Sequence, residues 1–166
     1  GFQQVNALIY EEQKKDAVLS GMGTTLTVLW EKENSIVLGH IGDSRAYRMR
    51  KGKIEQLSTD HSVVGEMVRE GLITEEQALQ HPYRNVITQA VGTSESLTPD
   101  IKTIEKQKGD KYVLCSDGLY EYVSKEEMCD LLMRFSPEDA AEQMIEKALE
   151  EGGRDNVTVL IAEVAL

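Results

Sequence analysis

The order of strand-like and helix-like segments is the feature that most constrains the fold of this chain. Residues 24–57 contain four short segments rich in β-branched and apolar residues, separated by the polar turns Glu31–Asn34 and Lys51–Lys53. Two amphipathic helices are predicted much later, one after the capping box at Ser124 and one after Ser136-Pro137. Because strands and helices are segregated rather than alternating, an α+β fold is favoured over a doubly wound sheet.

Other segments extend this prediction along the chain. The strands are predicted at Thr24–Trp30, Ile36–Ile41, Ala46–Met49, Ile54–Leu57, Leu97–Glu105, Tyr112–Cys115 and Asn156–Val164. The first four predict an antiparallel meander, and short helices are predicted over Ser62–Glu70 and after the capping box at Thr74. Apolar residues at helical spacing between Phe2 and Ile9 predict a helix already in progress at the first residue, which indicates an N-terminally truncated chain.

Composition excludes several classes of partner and site. The 166 residues are enough for one domain with its own core, and the net charge of -11 argues against nucleic acid and anionic membranes. The two cysteines form no CxxC motif, so zinc sites and disulfide frameworks lack support, and Cys115 is expected to be a core thiol. Without an apolar stretch of membrane-spanning length or a signal peptide, the chain is predicted to be cytoplasmic.

Four aspartates share a context that could carry chemistry. Asp43, Asp60, Asp117 and Asp155 each lie where a predicted strand meets a turn. Carboxylates at strand ends can converge at one edge of a sheet, and hard cations such as Mg²⁺ and Mn²⁺ prefer such oxygen ligands. Turns also favour Asp for local reasons, because its side chain bonds the backbone two residues on. The residues alone therefore leave a metal site and ordinary turn aspartates as alternatives, whereas His40, in mid-strand, is expected to be a packed residue.

The aspartate segments, taken together and in order, resemble a known family. They are Gly21–Thr25, Gly42–Arg45, Asp60–Ser62, Ser116–Leu119 and Gly153–Thr158, with His81–Gly92 as a further matching segment. In this order they resemble the metal-dependent serine/threonine protein phosphatases of type 2C, the PPM family, in its bacterial branch. The resemblance covers essentially all of residues 1–166, which are interpreted as a single partial domain.

This resemblance implies a fold, a cofactor and a reaction. Members of the family form an αββα sandwich of two antiparallel sheets flanked by helices. Two Mn²⁺ or Mg²⁺ ions activate a water that attacks phosphoserine or phosphothreonine in a phosphoprotein substrate. By motif match, Asp117 and Asp155 are the catalytic metal ligands, and Asp43 joins Asp117 at a third ion. Residues 61–96 would form a flap beside the active site. The supporting residues are expected to be Ser44, Asp60, Gly118 and Asn156.

One departure from the family pattern leaves two functional hypotheses. The family has an upstream Arg, an acidic pair and an Asp-Gly motif whose aspartate bridges the two metals, and none of these precedes Gly21 here. The first hypothesis is a catalytically impaired phosphatase fragment, missing N-terminal strands, whose parent acts on targets of a Ser/Thr kinase. The alternative is a non-catalytic, phosphatase-like binding or regulatory module. Exposed sheet edges in such a fragment would also favour self-association.

Overall fold

A computed structural model describes residues 1–153 and 155–165 of the chain; Arg154, within the Gly153–Thr158 motif, lies outside the described residues. The helices are α1 (Phe2–Lys15), α2 (Val63–Arg69), α3 (Glu75–Leu79), α4 (Asp117–Tyr120), α5 (Lys125–Arg134) and α6 (Pro137–Glu150). The strands are β1 (Leu26–Glu31), β2 (Ser35–Ile41), β3 (Arg45–Arg50), β4 (Lys53–Gln56), β5 (Asp100–Glu105), β6 (Lys111–Cys115) and β7 (Val159–Glu163). Within this described part, no helix is both long enough and apolar enough to cross a membrane.

Side-chain caps start the helices where the sequence predicts them. Thr74 and Ser124 each form a complete capping box, with the glutamine or glutamate three residues on bonding back to the cap. Ser62 and Ser136 accept a backbone N–H from the first turn of α2 and α6. Helix α4 was not predicted, because its four residues are too few to carry a periodic apolar pattern.

The strands form two sheets, so the predicted meander is wrong. One sheet has the order β1-β2-β5 and the other β4-β3-β6-β7. Strand β3 pairs antiparallel with β4 and with β6, and β6 pairs antiparallel with β7. Between β2 and β3 the chain turns at Gly42, whose φ of 105° is not an extended conformation. The local pattern identifies strands but does not reveal this change of sheet.

Two predicted strands begin three residues later than expected, for reasons local to each. The strand predicted from Leu97 begins at Asp100, because Pro99 has no N–H to donate to a neighbouring strand. The strand predicted from Asn156 begins at Val159. Residues 156–158 are bonded by the side chain of Ser116, which replaces part of the regular ladder.

The chain divides into two compact units, each with its own apolar core. The first comprises residues 1–29, 38–43 and 59–102, and the second comprises residues 30–37, 44–58 and the chain from Thr103 onward. The core of the first contains Ile41, Val91 and Leu97, with Phe2, Ile9 and Leu26 packed against them. The core of the second contains Tyr47, Met49, Val113, Cys115, Leu119, Val123, Met128, Cys129, Leu132, Ala140, Met144 and Ala148.

Within the second unit, apolar residues of α5 and α6 pack against the four-stranded sheet, which agrees with the amphipathic helices predicted there. Met128 and Leu132 of α5 and Met144 and Ala148 of α6 are buried together with residues of β3 and β6. Both cysteines are buried in the core of the second unit, which confirms Cys115 as a core thiol.

A buried ion pair joins β3 to the turn before β6 in the same unit. Asp110 is 1% exposed, and Arg50 donates from Nε and from its terminal nitrogen to the two carboxylate oxygens, each at 2.7 Å. Gln107 N–H donates to the same carboxylate at 2.8 Å. Burial disfavours the ionised carboxylate, but the hydrogen bonds from Arg50 and Gln107 outweigh it and hold the pKa of Asp110 below its usual value.

We expect Asp110→Asn to lower the free energy of unfolding by about 3 kcal/mol at pH 7, because it leaves the Arg50 guanidinium without its buried counter-charge. Urea unfolding at several pH values measures this. The stabilisation is complete above the unfolded-state pKa of about 3.9 and is lost as the pH falls through the lower folded-state value. The difference between the variant and the wild type should therefore narrow below about pH 4.

The matched control is Glu55→Gln. This change removes the charge of an exposed residue on β4 that pairs with Arg48, which lies on β3 with Arg50. Because Glu55 is 53% exposed, this change should cost no more than about 1 kcal/mol. Equal losses for the two variants would contradict the assignment of the Arg50–Asp110 pair as the stabilising interaction.

Candidate metal centre and active site

In the second unit, hydrogen bonds of Ser116 tie the segments that carry Asp117 and Asp155 side by side. Ser116 follows β6, and its N–H donates to the carbonyl of Thr158 at 3.1 Å. The Ser116 hydroxyl accepts the Thr158 N–H at 3.0 Å and donates to the carbonyl of Asn156 at 3.2 Å. Three bonds from one serine therefore fix the end of β6 against the approach to β7.

Gly118 lets these two segments approach closely. A Cβ atom built at Gly118 would lie 2.5 Å from the carbonyl oxygen of Asn156 and 3.1 Å from its carbonyl carbon. Both atoms belong to the backbone, so they cannot rotate out of the way as a side chain could. The close approach of the two segments therefore depends on residue 118 having no side chain.

The two carboxylates in these segments are oriented by their own backbone. Gly118 N–H donates to Oδ1 of Asp117 at 2.9 Å, and Asn156 N–H donates to Oδ1 of Asp155 at 2.7 Å. Local bonds of this kind also occur in ordinary turns; the close approach of the two segments is what sets this pair apart. Carboxylate oxygens are the ligands that Mg²⁺ and Mn²⁺ prefer, so the chemistry of these two side chains is compatible with such an ion.

In the first unit, Asp43 and Asp60 lie one residue away from a contact between Gly42 and His61. His61 N–H donates to the Gly42 carbonyl at 2.8 Å, and Gly42 N–H donates to Nδ1 of His61 at 3.2 Å. Asp60 is 8% exposed and packs against the first turn of α2, where a Cβ at Gly65 would lie 2.9 Å from the Cβ of Asp60. Asp60 thus has a packing role in its turn.

His40 is a packed residue, as its mid-strand position predicts. Its ring lies fully buried, with Nδ1 2.9 Å from the Thr27 hydroxyl and Nε2 2.9 Å from the Gly42 carbonyl. Burial lowers the pKa of His40 below its usual value, and the neighbouring His61 ring acts in the same direction. The imidazole is therefore neutral near pH 7. Sequence reasoning gave no role to His61, because nothing in the local pattern marks its contact with Gly42, nineteen residues earlier.

The predicted site residues are thus distributed over the two units. Asp43 and Asp60 belong to the first, and the second contains Ser44, Asp117, Gly118, Asp155 and Asn156. Among residues 1–153 and 155–165, no group of three or more His, Cys, Asp or Glu side chains is arranged to hold a metal ion. The individual roles given to these residues stay predictions.

A comparison with protein families identifies the relatives of this chain. The family model described as protein phosphatase 2C matches residues 2–152. The chain belongs to the protein phosphatase 2C family. The family resemblance stated from the aspartate segments is confirmed.

Known members of the family are similar to the chain in sequence and in structure. The serine/threonine protein phosphatase PstP of Mycobacterium tuberculosis is 42% identical over 159 residues, which are 96% of this chain and 31% of PstP. A serine/threonine phosphatase from Staphylococcus aureus has 37% identity and a TM-score of 0.94, covering 98% of this chain and 65% of that one. The catalytic domain of PstP in complex with two manganese ions has 39% identity and a TM-score of 0.88, covering 96% of this chain and 66% of that one.

These likenesses confirm the predicted fold class. The chain is an α+β domain with two antiparallel sheets flanked by helices, as in the phosphatases of this family. It spans about a third of the length of PstP and about two thirds of the Staphylococcus aureus structure.

We expect Gly118→Ala to destabilise the protein by about 1–3 kcal/mol, because the new methyl group forces the Asn156 backbone away from α4. Chemical denaturation measures the change. Alanine is the better helix former by about 1 kcal/mol, so a variant without this clash would gain stability. A Gly118→Ala protein as stable as the wild type would show that the two aspartate segments are not held as closely as described.

Proposed function

We propose that this chain is the metal-binding part of a protein phosphatase that hydrolyses phosphoserine and phosphothreonine with Mn²⁺ or Mg²⁺. The observation that carries the proposal is the attachment of the Asp117 and Asp155 segments to each other through Ser116 and Gly118. Family membership supports it, as does the manganese complex of the related PstP catalytic domain.

We propose a specific role for each residue of the site. Asp117 and Asp155 would hold the catalytic ions, with Asn156 keeping Asp155 oriented through its N–H. Asp43 would be a ligand of a further ion, and Ser44 and Asp60 would support its turn. When bound, the ions lower the pKa of a water and neutralise the charge of the phosphate. The chain's own residues orient the carboxylates.

The proposed substrates are phosphoproteins, most simply the targets of a Ser/Thr kinase in the same cytoplasm. We propose residues 61–96, which contain α2 and α3, as the flap that tunes substrate choice.

Self-association is proposed through β7, which ends the four-stranded sheet and carries an exposed Leu160. Sedimentation at low and high protein concentration tests that part separately.

A second function, a non-catalytic phosphatase-like module that binds a phosphoprotein or regulatory partner, has one observation in its favour. The residues that the structure describes include no set of three or more metal-holding side chains. A chain with only part of the donor set could keep the fold and a phosphoprotein-binding surface without turning substrate over. Binding without hydrolysis is what separates this module from an enzyme.

We expect Mn²⁺ to raise the free energy of unfolding, because an ion that binds only the folded state stabilises it by mass action. At a concentration 100 times the dissociation constant the gain is about 2.7 kcal/mol. Asp117→Asn should abolish most of this gain and the Mn²⁺-dependent release of phosphate from a phosphothreonine peptide. Thermal unfolding and a phosphate-release assay on the same samples measure both effects.

The matched control is Asp130→Asn, the same chemical change at an exposed position of α5. It should leave both metal stabilisation and phosphate release unchanged. Mn²⁺ stabilisation without phosphate release, with Asp117→Asn removing the stabilisation, would support the metal site and fit either an impaired phosphatase fragment or the non-catalytic module, but not an active enzyme. No Mn²⁺ effect on unfolding in the wild type would count against both the metal site and the phosphatase activity.

A further inference from the structure

Two buried histidines hold the backbone that immediately precedes Asp43. The Gly42 carbonyl accepts two hydrogen bonds, from the His61 N–H at 2.8 Å and from Nε2 of His40 at 2.9 Å. The Gly42 N–H donates to Nδ1 of His61 at 3.2 Å. Both peptide groups that flank Gly42 are therefore fixed, and the second of them contains the nitrogen of Asp43.

These bonds determine which nitrogen of each imidazole carries the proton. A carbonyl only accepts, so His40 must be protonated at Nε2, and its Nδ1 accepts from the Thr27 hydroxyl at 2.9 Å. The Gly42 N–H only donates, so Nδ1 of His61 must be unprotonated and its Nε2 carries the hydrogen. The two rings lie 5.1 Å apart with complementary roles, one donating to Gly42 and the other accepting from it.

The histidines are themselves anchored in the first unit. Nε2 of His61 lies 3.5 Å from a carboxylate oxygen of Asp100, and the His61 carbonyl accepts the Thr88 N–H at 2.8 Å. His40 is 0% exposed and His61 is 6% exposed. Rotation of the His61 ring would leave the buried N–H of Gly42 without this partner, which costs about 1–3 kcal/mol. Rotation of the His40 ring would remove one of the two hydrogen bonds to the Gly42 carbonyl.

The conformation that these bonds fix is one that only glycine adopts readily. Gly42 has a φ of 105°, and a Cβ there would lie 2.4 Å from Cγ2 of Thr25. The direction in which the chain enters Asp43 therefore depends on how the Gly42 peptide groups are held. Relaxing them would add freedom to the Asp43 backbone, which an ion would have to remove on binding.

We propose that His61, assisted by His40, is a positioning residue that aims the Asp43 carboxylate through the Gly42 peptide groups. The proposal rests on the proposed function, in which Asp43 is a metal ligand. His61 would act indirectly, by accepting the Gly42 N–H, and would not itself be a ligand. Partners of this indirect kind typically change metal affinity by about 10–100-fold when they are removed.

Two substitutions of His61 separate the proposed role from general packing. In His61→Asn the side-chain oxygen stands where Nδ1 stood, so the acceptor for Gly42 is kept and the contact with Asp100 is lost. In His61→Gln the amide reaches the position of Nε2, so the contact with Asp100 is kept and the acceptor for Gly42 is lost. Both changes replace a buried ring with a smaller amide, which makes each a control for the other.

The first readout is the exchange rate of the Gly42 amide hydrogen, measured by NMR. The second is the affinity for Mn²⁺, obtained from a titration in which electron paramagnetic resonance detects the free ion. The difference between wild-type and Asp43→Asn titrations defines the Asp43-dependent binding. In His61→Gln we expect the Gly42 amide to exchange at least about 10-fold faster and the Asp43-dependent affinity to fall about 10-fold. In His61→Asn both should stay within about 1.5-fold of the wild type.

Thr27→Val is a third variant for use if His61→Gln does not fold. It keeps the shape of the side chain but removes the donor to His40, so the Asp43-dependent affinity should fall about threefold. No change in that variant, or equal effects of His61→Asn and His61→Gln, would overturn the proposal. If Asp43→Asn itself leaves Mn²⁺ binding unchanged, the ligand role of Asp43 is wrong. If Asp43→Asn weakens binding and His61→Gln does not, only the positioning role is wrong.

Discussion

The three hydrogen bonds of Ser116 are the interaction on which the candidate metal centre depends most. They join the end of β6 to residues 156–158, two segments about forty positions apart in the chain. Without them, Asp117 and Asp155 would be two unrelated turn residues with locally bonded carboxylates. Because the hydroxyl both donates and accepts, this one small side chain pairs with the Asn156 carbonyl and with the Thr158 N–H, just before β7 begins. The absent side chain of Gly118 then allows the close approach.

Local signals in the sequence predicted the elements of the fold well. The capping residues before α2, α3, α5 and α6 act within one helical turn, so they can be read without knowledge of the rest of the chain. The apolar stripes of α5 and α6 likewise predicted burial that the core of the second unit confirms. Asp43 lies between β2 and β3, as local turn chemistry predicts, whereas Asp117 is the first residue of α4 rather than part of a turn.

Contacts between distant residues could not be predicted from such signals. The assignment of β1–β4 to one meander was wrong because strand patterns are the same whichever partner a strand takes. The contact of His61 with Gly42 has no local pattern either, although the family resemblance included both residues in its motifs. Pro99 does carry a local signal, because its missing N–H indicates the later start of β5. The site was therefore predictable as a set of residues, but its supporting bonds were not.

The chain holds its structural and its candidate functional carboxylates in different ways. Asp110 is buried, receives two hydrogen bonds from Arg50 and ionises more readily because of them. A carboxylate held in this way could bind a cation only by giving up its guanidinium, and breaking such a pair costs about 3–5 kcal/mol. Asp117 and Asp155 are bonded through Oδ1 by the neutral N–H of the next residue, which orients the carboxylate and adds no competing positive charge. The proposed positioning of Asp43 also acts through the backbone, because His40 and His61 bond the peptide groups that precede it. Neutral support thus keeps the negative charge available to a metal ion, which is the physical difference between a carboxylate that stabilises a fold and one that can act as a ligand.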